Sequence, residues 1–597
     1  MKLTRREALK LGIVGTGTLI SPFGLPSNAQ AAEMITCEHQ SSPSGVQTTP
    51  FSPQIDRFKA PLKILQPLEP KLRKEASGEG FATDYYEITM EKQRVGVVFD
   101  ENEQPLHFAE FWTYNGSVPG PLIRQKLFRQ SSIRFINLLG EDTNGKNICT
   151  SIHLHGMASL PQYDGYAEDL IQPNYYKDYY YPNSRASSLW YHDHAVHNTS
   201  RNVYMGLAGM YIVEYADTDF CGETYTLPSG EFEIPLVIQD KTFEIPDRNN
   251  PQEWRLVFNN RRQQGVYADV MLVNGRAYPT HKVKRQKYYF RLLNASASRT
   301  YQLTLSRDAN RLTLAQDPLI VVGSDAGLLA QPEPLIAPKS LRIAVSERYG
   351  VVIDFVQFPA DVKTVYLWDM GFISNISGPS QAVMQFELMG DPTPTPDLPS
   401  KLGKVILRDE LIRLRSEQLQ KKGLPVTTSD QKFRFGRSGD WKINNKTWEI
   451  KRVDAKPGLW DVEIWEITNT GGWVHPVHIH LVDFQILDRN GMEPYSYERG
   501  WKDVVLLSEF ETVRVIASFN PQPGKYMIHC HNVVHEDHDM MTQFEVVRRR
   551  PEDSPAIDPM SARAKELPAP PLGTTDPPPY PESDFTYGPL KTSCQEP

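Results

Sequence analysis

Ten of the fifteen histidines in this 597-residue chain fall into four short clusters. These are His153-Leu154-His155, His192-Asp193-His194, the run from His475 through His478 to His480, and His529-Cys530-His531 with His535. Nothing else in the sequence restricts the fold so tightly. On a β-strand, side chains i and i+2 share a face, so each His-x-His pair presents two imidazoles side by side. Eight paired imidazoles exceed the four ligands that a structural zinc takes, which implies a cluster of several metal ions. Imidazole suits zinc, copper, iron or nickel, so these histidines alone do not choose the metal.

The last cluster does. Cys530 lies between His529 and His531, so on a strand its sulfur points away from both imidazoles. His535 and Met540 follow shortly after. One cysteine, two histidines and a remote methionine are the ligand set of a blue-copper electron-transfer site. His475, offset from the His478/His480 pair, is the natural second histidine. One strand would then carry metal on each side, with residues 529–531 as the path between.

The surrounding sequence reads as all-β. Short alternating runs at 95–99, 132–138, 210–213 and 233–238 are punctuated by glycine, proline and asparagine, as in a sandwich or barrel. The 47 prolines and 27 tyrosines lean the same way. Asn115-Gly116, Asn274-Gly275 and Asn444-Asn445 each precede an apolar tract, a weak internal echo that predicts three similar β units. The expected organisation is an arm at 32–81, domains at 82–216, 230–390 and 404–550, and a proline-rich tail at 551–597. A net charge of -8 argues against a nucleic-acid partner. Five cysteines are too few to staple a chain of this size. A mean hydropathy of -0.45, with no long apolar run past the N-terminus, argues against an integral membrane segment in the mature protein.

Lys2, Arg5 and Arg6, the apolar run from Leu11 to Leu25, and Ala29-Gln30-Ala31 have the order of a cleavable leader over 1–31. The stretch from Thr4 to Lys10 resembles a bacterial twin-arginine signal, which implies export of a folded protein to the periplasm or beyond. In such a compartment Cys37, Cys149, Cys221 and Cys594 have three possible pairings, and spacing does not choose among them.

With its four clusters in this order, the chain resembles the multicopper oxidases, and most of all the bilirubin oxidases among them. The resemblance spans roughly 82–550 and is carried by residues 164–169, 177–183, 190–194, 473–484 and 529–541. It implies three cupredoxin-like β-sandwich domains of Greek-key type, with a type 1 copper in the third and a trinuclear cluster between the first and third. Carried over by position, the type 1 copper takes His475, Cys530, His535 and axial Met540. The type 2 copper takes His153 and His478; the type 3 pair takes His155, His192 and His531, and His194, His480 and His529. Four coppers per chain, dioxygen and a small reducing substrate follow. The substrate classes implied are bilirubin-like tetrapyrroles, phenols and aromatic amines.

Asp164 and Glu536 stand close to ligands in sequence, and reducing oxygen to water consumes protons that nearby acids can deliver. The resemblance gives them that role; read alone, Asp164-Gly165 is also an ordinary turn and Glu536 a solvated acid. Trp473, two residues before His475, is a candidate for the rim where an aromatic substrate stacks, or for core packing. Two other readings compete. A metal-ion oxidase acting on ferrous, manganous or cuprous ions fits the same copper sites, although the 15 methionines form no cuprous-binding run. An electron-transfer cupredoxin would need the Cys530 site but not His153, His155, His192 or His194.

Overall fold

The computed structural model describes residues 52–76, 82–143, 145–214, 227–259, 263–310, 312–314, 319–336, 340–371, 381–402, 408–420, 428–549, 559 and 567–568. At the three asparagine-led turns the backbone enters the left-handed region, which asparagine and glycine tolerate better than other residues. There φ is 50° and 69° at Asn115 and Gly116, 50° and 82° at Asn274 and Gly275, and 53° and 61° at Asn444 and Asn445. Each asparagine side chain also clamps a neighbouring strand in the same way. Asn115 Oδ1 accepts from the Thr89 N–H (2.7 Å) while its amide donates to the Glu87 carbonyl (3.2 Å). Asn274 does so with Val237 and Pro235 (2.8 and 2.9 Å), and Asn444 with Arg434 and Lys432 (2.8 and 3.0 Å). The sequence echo is thus a structural repeat.

A second asparagine repeat was not visible in the sequence. Strands Gln130–Asn137, Lys287–Asn294 and Val462–Asn469 each end on a buried asparagine. Each of these amides donates to two backbone carbonyls, and each side-chain oxygen accepts from the N–H two residues on.

Around these devices the described residues form three sandwiches. In the first, an eight-stranded sheet built on Thr83–Phe99 faces a four-stranded sheet of Gly120–Lys126, Ala208–Glu214, Ser187–Asp193 and Ile152–His155. The middle one pairs a seven-stranded sheet, containing Glu233–Lys241 and Arg348–Asp354, with a five-stranded sheet containing Gln381–Met389. In the third, a five-stranded sheet with Gln431–Ser438 faces a four-stranded sheet of Val504–Leu507, His475–Ile479, Gly524–Cys530 and Met541–Val546. The same parallel pairing recurs in all three: Thr83–Phe99 with Gln130–Asn137, Glu233–Lys241 with Lys287–Asn294, and Gln431–Ser438 with Val462–Asn469.

The first and third sandwiches have cores of their own, while that of the middle one continues into Val97, Val98 and Phe111 of the first and Val533 and Val534 of the third. Phe135, Tyr179 and Tyr191 meet between the first pair of sheets, and Trp441, Trp465 and Phe544 between the third. Burying one such ring contributes about 1.5–3 kcal/mol.

Three features lie outside the expected pattern of repeated sandwiches. Helix Arg408–Gln420 packs Leu411 on Val462, Ile464 and Ile516. The first sandwich's large sheet takes in Glu253–Leu256, which pairs parallel to Pro105–Tyr114. From the tail, Leu567–Pro568 pairs with Tyr175–Tyr181. The described part of the arm runs from the middle sandwich to the first: the Leu62 N–H donates to the Thr280 carbonyl and the Leu68 N–H to the Leu122 carbonyl. The expected leader, Cys37, Cys221, Cys594 and most of the tail lie outside the described residues. Cys149 lies 3.2 Å from Gln172 Oε1 through its sulfur. No helix among the described residues is long and apolar enough to cross a membrane.

Candidate metal centre

The two four-stranded sheets carry the histidine clusters, and strand alternation sorts their side chains. On Ile152–His155 and Ser187–Asp193, the residues Ile152, Leu154, Leu189 and Tyr191 enter the first core. The intervening His153, His155 and His192 take the other face. His153 and His192 are direct cross-strand partners, as are His478 and His529 in the third sandwich. There Val477, Ile479, Ile528 and Cys530 belong to the core, so His478, His529 and their companions face outward. The two outward faces meet.

All eight imidazoles are buried, at most 1% exposed. His155 stacks on His478 with ring centroids 3.7 Å apart, and His153 lies 4.1 Å from His480. His529 Nε2 sits 3.1 Å from His480 Nε2 and 3.3 Å from His194 Nε2. Ligand atoms converge in three buried all-histidine groups, His155, His192 and His531; His194, His480 and His529; and His153, His155 and His478; a fourth group joins Asp164 to His153 and His480. Burial holds most of these rings neutral, with His192 lowered to about 3 and His194 to about 4. Neutral imidazole is the ligating form.

In His153, His155, His192 and His478 the hydrogen-bonded nitrogen tells which one is offered. Nδ1 donates to the carbonyls of Asp164 from His153 (2.5 Å), Asp193 from His192 (2.8 Å) and Asp503 from His478 (2.8 Å). That leaves Nε2 of all three buried without a hydrogen-bond partner. His155 is inverted: its Nε2 lies 3.0 Å from Asp503 Oδ1, and its Nδ1 is the nitrogen without a partner. Buried nitrogens left open at one focus are what a metal cluster requires, because such groups are otherwise costly.

The two expected acids touch the cluster. Asp164 Oδ2 lies 2.7 Å from His480 Nδ1, and its other oxygen is buried with no hydrogen-bond partner. Burial raises this carboxyl well above the usual range. Glu536 Oε2 lies 3.0 Å from His529 Nδ1, and Oε1 accepts from the Thr199 hydroxyl at 3.0 Å. Burial disfavours its charge, but the facing His529 and His194 hold it down to about 2. Gly165 has φ 74°, and a Cβ there would fall 2.5 Å from the Ile152 carbonyl oxygen. The turn beside Asp164 is therefore pressed onto the His153 strand.

On the inner face of the third sandwich, Cys530 Sγ lies 3.4 Å from His475 Nδ1 and 3.5 Å from His535 Nδ1. The two nitrogens are 3.3 Å apart. These edges suit one ion bound at about 2.0–2.3 Å. Burial pushes the Cys530 thiol up, so thiolate forms there against a bound cation. His535 rides on the helix Val533–Asp537, capped by Asn532, and Met540 returns fully buried in the same core. Trp473 is half-buried and precedes its strand; it reaches the site through Trp441, edge-on at 6.3 Å.

Four residues here escaped the sequence reading. Trp441 stacks on His535 at 3.8 Å. The Gln264 carbonyl accepts from His535 Nε2 at 2.9 Å. Asp503 and Arg348 stand behind His155. The signal for the last two was a charged pair, Lys502-Asp503 and Glu347-Arg348, set directly against apolar strand residues. Nothing local marks Trp441 or Gln264.

Sequence patterns of the multicopper oxidase family match residues 100–218 and 421–550. The chain is 37% identical over 514 residues to the bilirubin oxidase of Albifimbria verrucaria, covering 83% of this chain and 82% of that one. It is 32% identical over 515 residues to a laccase of Bacillus stratosphericus, covering 78% and 95%. Among solved structures, the McoA multicopper oxidase of the hyperthermophile Aquifex aeolicus aligns with a TM-score of 0.65 at 26% identity. That alignment covers 82% of this chain and 99% of the other. The three sandwiches are accordingly of the expected cupredoxin-like class.

Proposed function

The chain belongs to the multicopper oxidase family, a family of copper oxidoreductases that use dioxygen, and from this premise we propose a four-copper enzyme oxidising a small aromatic or tetrapyrrole reductant. His475, Cys530, His535 and Met540 hold the type 1 copper. His153 and His478 hold the type 2 copper; His155, His192 and His531, and His194, His480 and His529, hold the type 3 pair. Copper, when bound, accepts electrons one at a time from the reductant and supplies the four-electron reduction of dioxygen to two waters.

One observation carries this reading: Cys530 turns inward to His475 and His535 while its sequence neighbours His529 and His531 turn outward into the eight-histidine cluster. Three consecutive residues thus join the two sites covalently. Asp164 and Glu536, each against a cluster imidazole, are assigned to proton delivery, with the Thr199 hydroxyl behind Glu536. Trp473, half-buried and edge-on to the buried Trp441 that packs on His475 and His535, is assigned to the rim where a flat reductant stacks. The domains carrying these parts are 82–216, 230–390 and 404–550, and residues 1–31 direct twin-arginine export.

The test is copper per chain together with the visible spectrum of the purified protein. About four coppers with an intense blue band and a near-ultraviolet shoulder are expected. A single copper with a blue band leaves only an electron carrier, and zinc after copper reconstitution overturns the assignment. Turnover of bilirubin and phenols against ferrous, manganous and cuprous ions then decides the reductant class.

A further inference from the structure

The middle sandwich supplies none of the clustered histidines, yet one of its side chains reaches the cluster. Arg348 begins strand Arg348–Asp354 and is fully buried. All five of its N–H donors are used. Nε donates to the Ser188 carbonyl of the first sandwich at 3.0 Å. Nη1 donates to the Ser346 carbonyl (2.9 Å) and to Asp503 Oδ1 (2.7 Å). Nη2 donates to the Asp325 carbonyl (3.2 Å) and to Asp503 Oδ2. One guanidinium therefore ties the three sandwiches together at a single carboxylate.

That carboxylate governs two cluster rings. Asp503 Oδ1 holds Nε2 of His155, the inverted ring, at 3.0 Å, and the Asp503 carbonyl accepts from His478 Nδ1 at 2.8 Å. These are the two rings stacked at 3.7 Å across the contact between the first and third sandwiches. Asp325 fixes the same segment from behind, its Oδ2 accepting from the N–H groups of Asp503 and Val504, both at 3.3 Å. The backbone leaves no slack: a Cβ on Gly156 would lie 2.7 Å from Asp503 Oδ2 and 2.8 Å from Arg348 Nη2.

We propose that Arg348 is a positioning residue for the cluster: gripping both oxygens of Asp503, it keeps His155 turned to offer Nδ1 and seats His478 against it. The proposal rests on the four-copper reading above. Without the guanidinium, Asp503 becomes an unpaired buried charge that repacks and releases the ring it orients. Lysine keeps the charge but lacks the fork that meets two carboxylate oxygens and three carbonyls at once.

The experiment compares the copper-loaded full chain with Arg348→Gln and Arg348→Lys. It reads turnover, copper per chain, the blue band, the near-ultraviolet shoulder and the electron paramagnetic resonance of the non-blue copper. Arg348→Gln is expected to keep the blue band, lose turnover at least about tenfold, and alter the non-blue signal or the shoulder. Arg348→Lys should recover only part of each. Wild-type turnover with an unchanged non-blue signal in Arg348→Gln overturns the proposal. Should that variant lack the blue band and fail to fold, the same unchanged pair of readings in Arg348→Lys overturns it. A wild-type chain with no non-blue copper signal instead overturns the four-copper reading itself.

Discussion

At the scale of single residues, Cys530 joins two environments: its sulfur lies in an apolar core and its neighbours on both sides line the histidine cluster. Cys530→Ser is expected to abolish the blue band and turnover while about three coppers remain, since the eight outward imidazoles are untouched. Copper analysis and the visible spectrum check it; a blue band in the serine variant contradicts the assignment. Glu463 gives a prediction away from the metal sites. Burial pushes its carboxyl up to about 7, although the Trp465 indole donates to it at 2.9 Å. The folded state then binds this proton more tightly than the unfolded chain does. Its contribution is full below the ordinary glutamate value of about 4.5 and is lost as pH rises through about 7. Thermal midpoints should therefore fall between about pH 5 and 8, and Glu463→Gln should flatten that fall. Equal slopes in the two proteins would contradict it.

At the scale of elements, the asparagines do more than shape turns. Asn294 closes strand Lys287–Asn294 with three buried hydrogen bonds, to the carbonyls of Arg299 and Ile343 and from the N–H of Ser296. Asn294→Ala leaves three buried backbone groups unsatisfied, and a loss of about 3 kcal/mol or more is expected, read as a shift in denaturant midpoint. A loss below about 1 kcal/mol would mean that water satisfies these groups. The turn asparagines were legible because an Asn-Gly pair specifies a left-handed turn within two residues. Asn137, Asn294 and Asn469 were not. Their partners lie 11 and 34, 5 and 49, and 4 and 39 residues away, and include backbone carbonyls, which carry no sequence signature.

At the scale of the whole molecule, the eight histidines of one cluster come half from the first sandwich and half from the third, with the middle one contacting both through Arg348 and the Gln264 carbonyl. Metal binding is then also assembly. Chelating the copper should lower the thermal midpoint and broaden the transition, with both restored on reconstitution. Identical melting of the two forms would mean that the histidines do not bind metal across that contact. Period-two spacing of the histidines was enough to predict strands, paired imidazoles and a sulfur on the opposite face, because alternation is a local property of an extended chain. Tertiary structure alone decided that His155 offers Nδ1. Asp503, which inverts His155, stands 348 residues from it, and the Arg348 that grips Asp503 lies 155 residues away again. Such partners are chosen by the packing of sandwiches, and no local period records it.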